Sequence, residues 1–286
     1  MKKTWPLVLF LLAGLVSPGH SRTKGYLFVI GGGDRPESMM RRFIDLARQF
    51  GSGKIIVFPM ASSAPAETGA SLVAEFNSLG ARQVESHILT REQALAEESV
   101  RILDDAGGVF FSGGDQSRQM AVLRGTPVHR ALLELYQKGC VMAGTSAGAA
   151  VMSEVMITGD ERRKAGEGHE FETLEADNIV TVEGLGFIRT AIIDQHFVTR
   201  KRHNRLISLV AERPQLLGIG VDEETAIIVG PDEKFEVVGN RNVVVYDTSH
   251  ASVTIAPSKA IGFRGGVMHV LLAGDRFDLK KRKAVR

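Results

Sequence analysis

Three glycine-rich breaks constrain this chain most, because each closes a short apolar run: Gly31-Gly32-Gly33, Gly113-Gly114, and the G-x-S-x-G stretch Gly144-Thr145-Ser146-Ala147-Gly148. Runs at residues 25–30, 54–59, 83–89, 108–111, 140–143 and 190–193 read as strands, with apolar residues at helical spacing at 39–50 and 70–79 between them. Strands alternating with amphipathic helices predict an α/β fold whose mostly parallel sheet is covered on both faces. Ligands bind such sheets beyond the carboxyl ends of the strands, so the three loops should converge on one rim. Runs at 218–221, 225–229, 235–238 and 242–246, punctuated by Gly230-Pro231-Asp232 and Gly239-Asn240, predict C-terminal strands that extend the sheet as antiparallel hairpins. Between Gly159 and Gly184 the polar, charged chain reads as a long surface loop.

G-x-S-x-G after an apolar run and before small residues reads as a nucleophile elbow. A sharp strand-to-helix turn lifts the Ser146 hydroxyl out of the sheet and aims the Ala147 amide at a developing oxyanion. Gly113-Gly114, closing another strand, lets the Gly114 amide join it; on these residues alone a simple type II turn fits as well. A serine nucleophile needs a base. Of the eight histidines, His196 follows the apolar run 190–193 directly and therefore shares a strand end with Ser146, and none of the histidines has metal-ligand spacing. Arg202 and Arg205 lie three apart on a predicted helix face, with Arg200 offset. They read either as a solvated face or as a clamp for carboxylates. Cys140, the single cysteine, reads as a buried small hydrophobe and cannot form an intramolecular disulfide.

At 286 residues with 44% hydrophobic content, the chain can bury a full core, and no low-complexity linker divides it. A formal charge of +2 argues against a dedicated nucleic-acid binder, and the basic C-terminal residues read as a solvated tail. Lys2 and Lys3 precede an apolar run at 5–16 and small residues at Gly19 and Ser21, the layout of a secretory signal peptide over residues 1–21. The expectation is therefore a secreted or periplasmic protein with one mature domain, 22–286, and no membrane span after signal removal.

Gly113-Gly114-Asp115-Gln116, Gly144-Thr145-Ser146-Ala147-Gly148-Ala149 and Asp194-Gln195-His196-Phe197, followed by Arg200, Arg202 and Arg205, together resemble the cyanophycinases. That family belongs to the serine peptidases that include the α-aspartyl dipeptidase. The resemblance implies a three-layer α/β/α sandwich like that of class I glutamine amidotransferases, to which the C-terminal strands read above would be added, and a homodimer. A serine hydrolase of this kind needs no metal or organic cofactor. It implies a substrate, cyanophycin, which is a poly-aspartate chain bearing arginine on each β-carboxyl and is cut to β-Asp-Arg dipeptides through an acyl-enzyme. It implies Ser146 as nucleophile, His196 as base, and Gln116, Asp194, Gln195, Arg200, Arg202 and Arg205 as the substrate-binding or supporting set. For the triad acid it points to Glu161, within Gly159-Asp160-Glu161, with Asp160 and Glu167 as alternatives. Residues 162–178 are more charged and longer than the family pattern. Two other functions fit the same residues: an aspartyl dipeptidase or related exopeptidase, and a catalytically silent binding protein for anionic ligands.

Overall fold

The computed structural model describes residues 23–163 and 170–285, so the signal-like segment 1–21 and Glu167 lie outside the described residues. The first half of the chain gives strands β1 (Tyr26–Ile30), β2 (Lys54–Phe58), β3 (Val84–Ser86), β4 (Ala106–Phe111) and β5 (Val141–Thr145). Between them come helices α1 (Glu37–Ala47), α2 (Pro65–Ser78), α3 (Arg91–Leu95), α4 (Gln116–Leu123) and α5 (Pro127–Lys138). After β5 follow α6 (Ala147–Ala150), β6 (Val155–Glu161), β7 (Ile179–Glu183), β8 (Ala191–Gln195), α7 (His203–Glu212) and β9 (Leu217–Val221). The chain ends in β10 (Thr225–Val229), β11 (Lys234–Gly239), β12 (Val243–Asp247), β13 (Ser252–Ile255), β14 (Ile261–Arg264), β15 (Val267–Leu271), β16 (Arg276–Asp278) and β17 (Lys283–Val285).

Nine strands form the central sheet in the order β17-β16-β11-β10-β1-β5-β4-β2-β3. The five strands from β1 to β3 are parallel, and β10, β11, β16 and β17 extend the β1 edge antiparallel. Helix α1 turns Met39, Met40, Phe43, Ile44 and Ala47 inward, the spacing of a single helical face. With Leu72 and Phe76 of α2 they cover one side of the sheet. Phe43, Phe76 and Phe110 meet there with ring centroids 5.1–5.7 Å apart, a tilted and edge-on cluster. Each buried ring contributes roughly 1.5–3 kcal/mol of transfer free energy, so this cluster fixes α1 and α2 firmly on the sheet. The opposite face packs on α3 to α6 and on residues of a second sheet.

That second sheet, β15-β12-β9-β8, departs from the sequence reading, which places the strands at 190–193, 218–221 and 242–246 in the main sheet; of the predicted C-terminal strands only those at 225–229 and 235–238 extend it. Strand β8 pairs parallel with β9 through the crossover helix α7, while the β1 edge is taken by β10. The turn 222–224 therefore carries the chain from one sheet to the other. Segment 159–184 also differs: β6 and β7 form an antiparallel hairpin, anchored because Ile157 and Ile179 are buried beside α7. No described helix is long and apolar enough to cross a membrane.

Candidate active site

Ser146 sits at the tip of β5 with φ 53° and ψ −112°, a backbone region rarely occupied by residues with a side chain. Holding it there costs of order 1–3 kcal/mol, which the surrounding fold must offset. The G-x-S-x-G glycines show how. A Cβ on Gly148 would lie 2.1 Å from the Phe111 carbonyl oxygen, and one on Gly144 would lie 2.3 Å from that of Gly148, so only bare backbone lets the turn close. The Ser146 amide donates to the Ile30 carbonyl at 3.0 Å, tying the elbow to the end of β1. Ala147 opens α6, where a helix leaves its amides without intrahelical acceptors.

His196 follows β8 with φ 49°. Its amide donates to the Gly31 carbonyl at 2.8 Å, so the loop after β1 supports both Ser146 and His196. The imidazole Nε2 lies 2.7 Å from Ser146 Oγ, and its Nδ1 lies 2.7 Å from Glu223 Oε1. Glu223 stands on the turn between β9 and β10. This turn is pinned by the Glu224 amide, which donates to the Gly32 carbonyl at 2.9 Å, and by Arg241, which reaches Glu224 and Thr199. Three strand ends from two sheets thus meet around one glycine loop. Burial pushes the His196 pKa below its ordinary value; the Glu223 hydrogen bond opposes this, and the nearby Arg200 and Arg202 charges reinforce it. A neutral imidazole in contact with a hydroxyl can accept its proton, and the carboxylate on Nδ1 stabilises the imidazolium that results.

A model of the peptidase family S51 matches residues 27–237. The chain belongs to peptidase family S51. It is a serine peptidase. A protein named cyanophycinase from Nostoc sp. (strain PCC 7120 / SAG 25.82 / UTEX 2576) is 36% identical over 271 residues, covering 91% of this chain and 87% of that relative. The cyanophycinase of Geminocystis herdmanii (strain PCC 6308) is 32% identical over 264 residues, covering 89% of this chain and 93% of its own. Among solved structures, a peptidase from an acI-B1 Actinobacterium shares the fold with a TM-score of 0.64 at 24% identity, over 90% of this chain and 98% of that one.

Within this S51 peptidase the sequence-predicted residues separate into three groups. Ser146 and His196 are brought together. Glu161 is not: it lies buried at the end of β6, where its Oε1 accepts from Asn178 Nδ2 at 3.0 Å, and Glu223 holds the place at His196 that the resemblance gives to Glu161. Asp160 is exposed on the same hairpin. The physical reason is topological, since the β6–β7 hairpin ties Glu161 to Asn178 while the turn between the sheets points a different carboxylate at the ring.

The remaining set is largely supporting. Asp194 and Arg205 are 1% and 2% exposed and form a two-pronged ion pair, with Arg205 Nε donating to Asp194 Oδ2 at 2.7 Å. Their charges are spent on each other. Gln195 accepts from Arg202 and Arg205, which fixes the strand end just before His196. Arg202 also donates to the Gln195 carbonyl at 2.8 Å. Burial and the adjacent Arg205 draw its pKa down to about 10, leaving it cationic at neutral pH. Gln116 is buried at the start of α4 and donates to the Ile157 and Thr158 carbonyls at 2.9 and 2.6 Å, holding the β6 hairpin against α4. Arg200 is exposed, within the range over which it acts on His196. Of the two glycines, Gly113 faces the nucleophile, a Cβ there falling 3.5 Å from Ser146 Cβ, whereas Gly114 packs on the Ala61 carbonyl. Cys140 is buried, and burial pushes its thiol well above the ordinary range. Among the described residues no cluster of His, Cys, Asp and Glu is arranged to hold a metal ion.

Proposed function

We propose that this S51 peptidase hydrolyses the poly-aspartate backbone of cyanophycin to β-Asp-Arg dipeptides through an acyl-enzyme on Ser146. The observation that carries the chemistry is the unbroken relay Ser146 Oγ, His196 Nε2, His196 Nδ1, Glu223 Oε1, with 2.7 Å at each inter-residue contact. Support for the substrate comes from relatives named cyanophycinase that match about nine-tenths of the chain. Ser146 Oγ attacks a backbone carbonyl carbon while His196 Nε2 takes the hydroxyl proton. The tetrahedral oxyanion is held by the Ala147 amide and by an amide of the Gly113-Gly114 turn. His196 then gives its proton to the leaving amine, the C–N bond breaks, and an ester on Ser146 remains. Water, deprotonated by His196, releases the acid and restores the serine.

Helices on both faces of the central sheet support the three-layer arrangement that the resemblance implies, and residues 22–286 are proposed as one catalytic domain. The signal-like residues 1–21 support action outside the cytoplasm, on a polymer too bulky to import intact. A homodimer belongs to the same reading. The test is a mass spectrum of products after the purified protein is incubated with cyanophycin and, separately, with Asp-X dipeptides. β-Asp-Arg released by the wild type and not by Ser146→Ala supports the proposal. Consumption of the dipeptides alone transfers the site to an exopeptidase, and turnover by Ser146→Ala removes the serine from the mechanism.

A further inference from the structure

A cavity of about 320 Å³ adjoins the nucleophile, lined by Arg35, Glu67, Thr68, Ser71, Leu72, Ser112, Gly113 and Thr145. Its position follows from strand order. Ser146 stands on the tip of β5; His196 contacts the loop after β1 on one side, and the cavity opens at the tip of β4 on the other. The arginines Arg200 and Arg202 thus lie with His196, and the cavity lies across the serine from them.

The charges in that cavity do not cancel. Arg35 is committed to Glu75, its Nε donating to Oε1 at 3.2 Å and its Nη2 to Oε2. Glu67 makes no ion pair or side-chain hydrogen bond among the described residues and is exposed to the cavity and solvent. It stands in the first turn of α2, on the wall of the cavity. Four residues on, Ser71 lies on the same helix face, and Leu72 supplies an apolar wall. A carboxylate beyond hydroxyls and an aliphatic surface matches a guanidinium on a methylene stem, which pairs in two prongs and lays its carbons on apolar atoms. At about 320 Å³ the cavity is at the small end of ligand sites, sized for one branch and not for a length of polymer.

We infer that this cavity is a specificity subsite for the guanidinium of an arginyl branch, with Glu67 as its anionic partner, an inference that rests on the substrate reading above. The experiment compares wild type and Glu67→Gln on soluble β-Asp-Arg oligomers and on the same oligomers with citrulline branches, which keep the shape and lose the charge. The wild type prefers the arginyl oligomer by about tenfold in kcat/KM through KM, and Glu67→Gln abolishes that preference while keeping its kcat on the citrulline oligomer. A Glu67→Gln protein that keeps the preference overturns the inference, because a merely structural Glu67 would alter both substrates alike. Wild-type protein that cleaves neither oligomer overturns the substrate reading instead. The cavity is then judged by calorimetry with arginine amide: binding to wild type but not to Glu67→Gln supports the subsite, and equal or absent binding overturns it.

Discussion

Gly32 lies against the face of the His196 ring so closely that a Cβ there would sit 2.3 Å from Cε1 and 2.6 Å from Nε2. Its φ of +114° is also one that residues with side chains rarely adopt. The loop after β1 thus sets the position of the base as well as the entry to the rim. Gly32→Ala should push the imidazole off the serine with little change in the distant core. Displacing a catalytic group by about 1 Å costs on the order of 100-fold. The expected result is a loss of kcat/KM of that size with a near-native circular dichroism spectrum. Unchanged turnover would show that the ring position is not set by this contact.

Two carboxylates compete for the part of the triad acid, and their surroundings separate them. Glu223 touches Nδ1 of His196, whereas Glu161 is bonded to Asn178. Glu223→Gln should lower kcat by about 10³–10⁴-fold, because the amide neither stabilises the imidazolium nor enforces the tautomer that leaves Nε2 free to accept. Glu161→Gln should stay within about threefold of wild type, since a glutamine oxygen still accepts from Asn178. Steady-state rates on β-Asp-Arg oligomers for the two variants decide the assignment.

Ser146 and His196 were legible in the sequence because each follows an apolar run that must end at the carboxyl edge of a sheet. The same signal marks Glu223, two residues beyond the run 218–221, but Asp222-Glu223-Glu224 also reads as an ordinary charged turn. No local pattern tells a turn that faces solvent from one that bridges two sheets. Strand period likewise reveals β8 and β9 as strands and not which sheet they join, a choice made by the burial of both faces against α7 and the main core. The hairpin of β6 and β7 was hidden by its polar composition, although Ile157 and Ile179 anchor it. For Arg205, spacing identified the helix face, and only its partner Asp194 shows that the charge is internal.

The pH profile follows from the surroundings of His196. Its pKa lies below the ordinary 6.5, with burial as the largest cause and the Arg200 and Arg202 charges adding to it against the Glu223 hydrogen bond. The working form is the neutral ring, so kcat/KM should rise through a midpoint below 6.5 and be flat at neutral pH. Removing a cation weakens the downward push, so Arg200→Gln should move the midpoint toward higher pH. In Glu223→Gln the residual activity should have its midpoint at lower pH than wild type. Profiles of kcat/KM between pH 4 and 8, roughly spanning the imidazole range, test all three directions.

Arg205 is tested by stability more than by rate. Its guanidinium is 2% exposed, forms two prongs with the 1% exposed Asp194, and lies 5.0 Å from the centroid of the Phe171 ring. Arg205→Met removes one partner and strands a buried carboxylate, a change that costs about 3–5 kcal/mol. For a chain of this size each kilocalorie lowers Tm by roughly 2–4 °C, so the variant should melt about 6–20 °C below wild type. The double variant Asp194→Leu with Arg205→Met leaves no unpaired charge and should recover much of that loss. Because Asp194 and Gln195 immediately precede His196, the single variant should also lower kcat at temperatures where it remains folded. A single variant that melts with the wild type would mean that the pair does not hold the strand end, leaving Arg202 and Gln195 to do so alone.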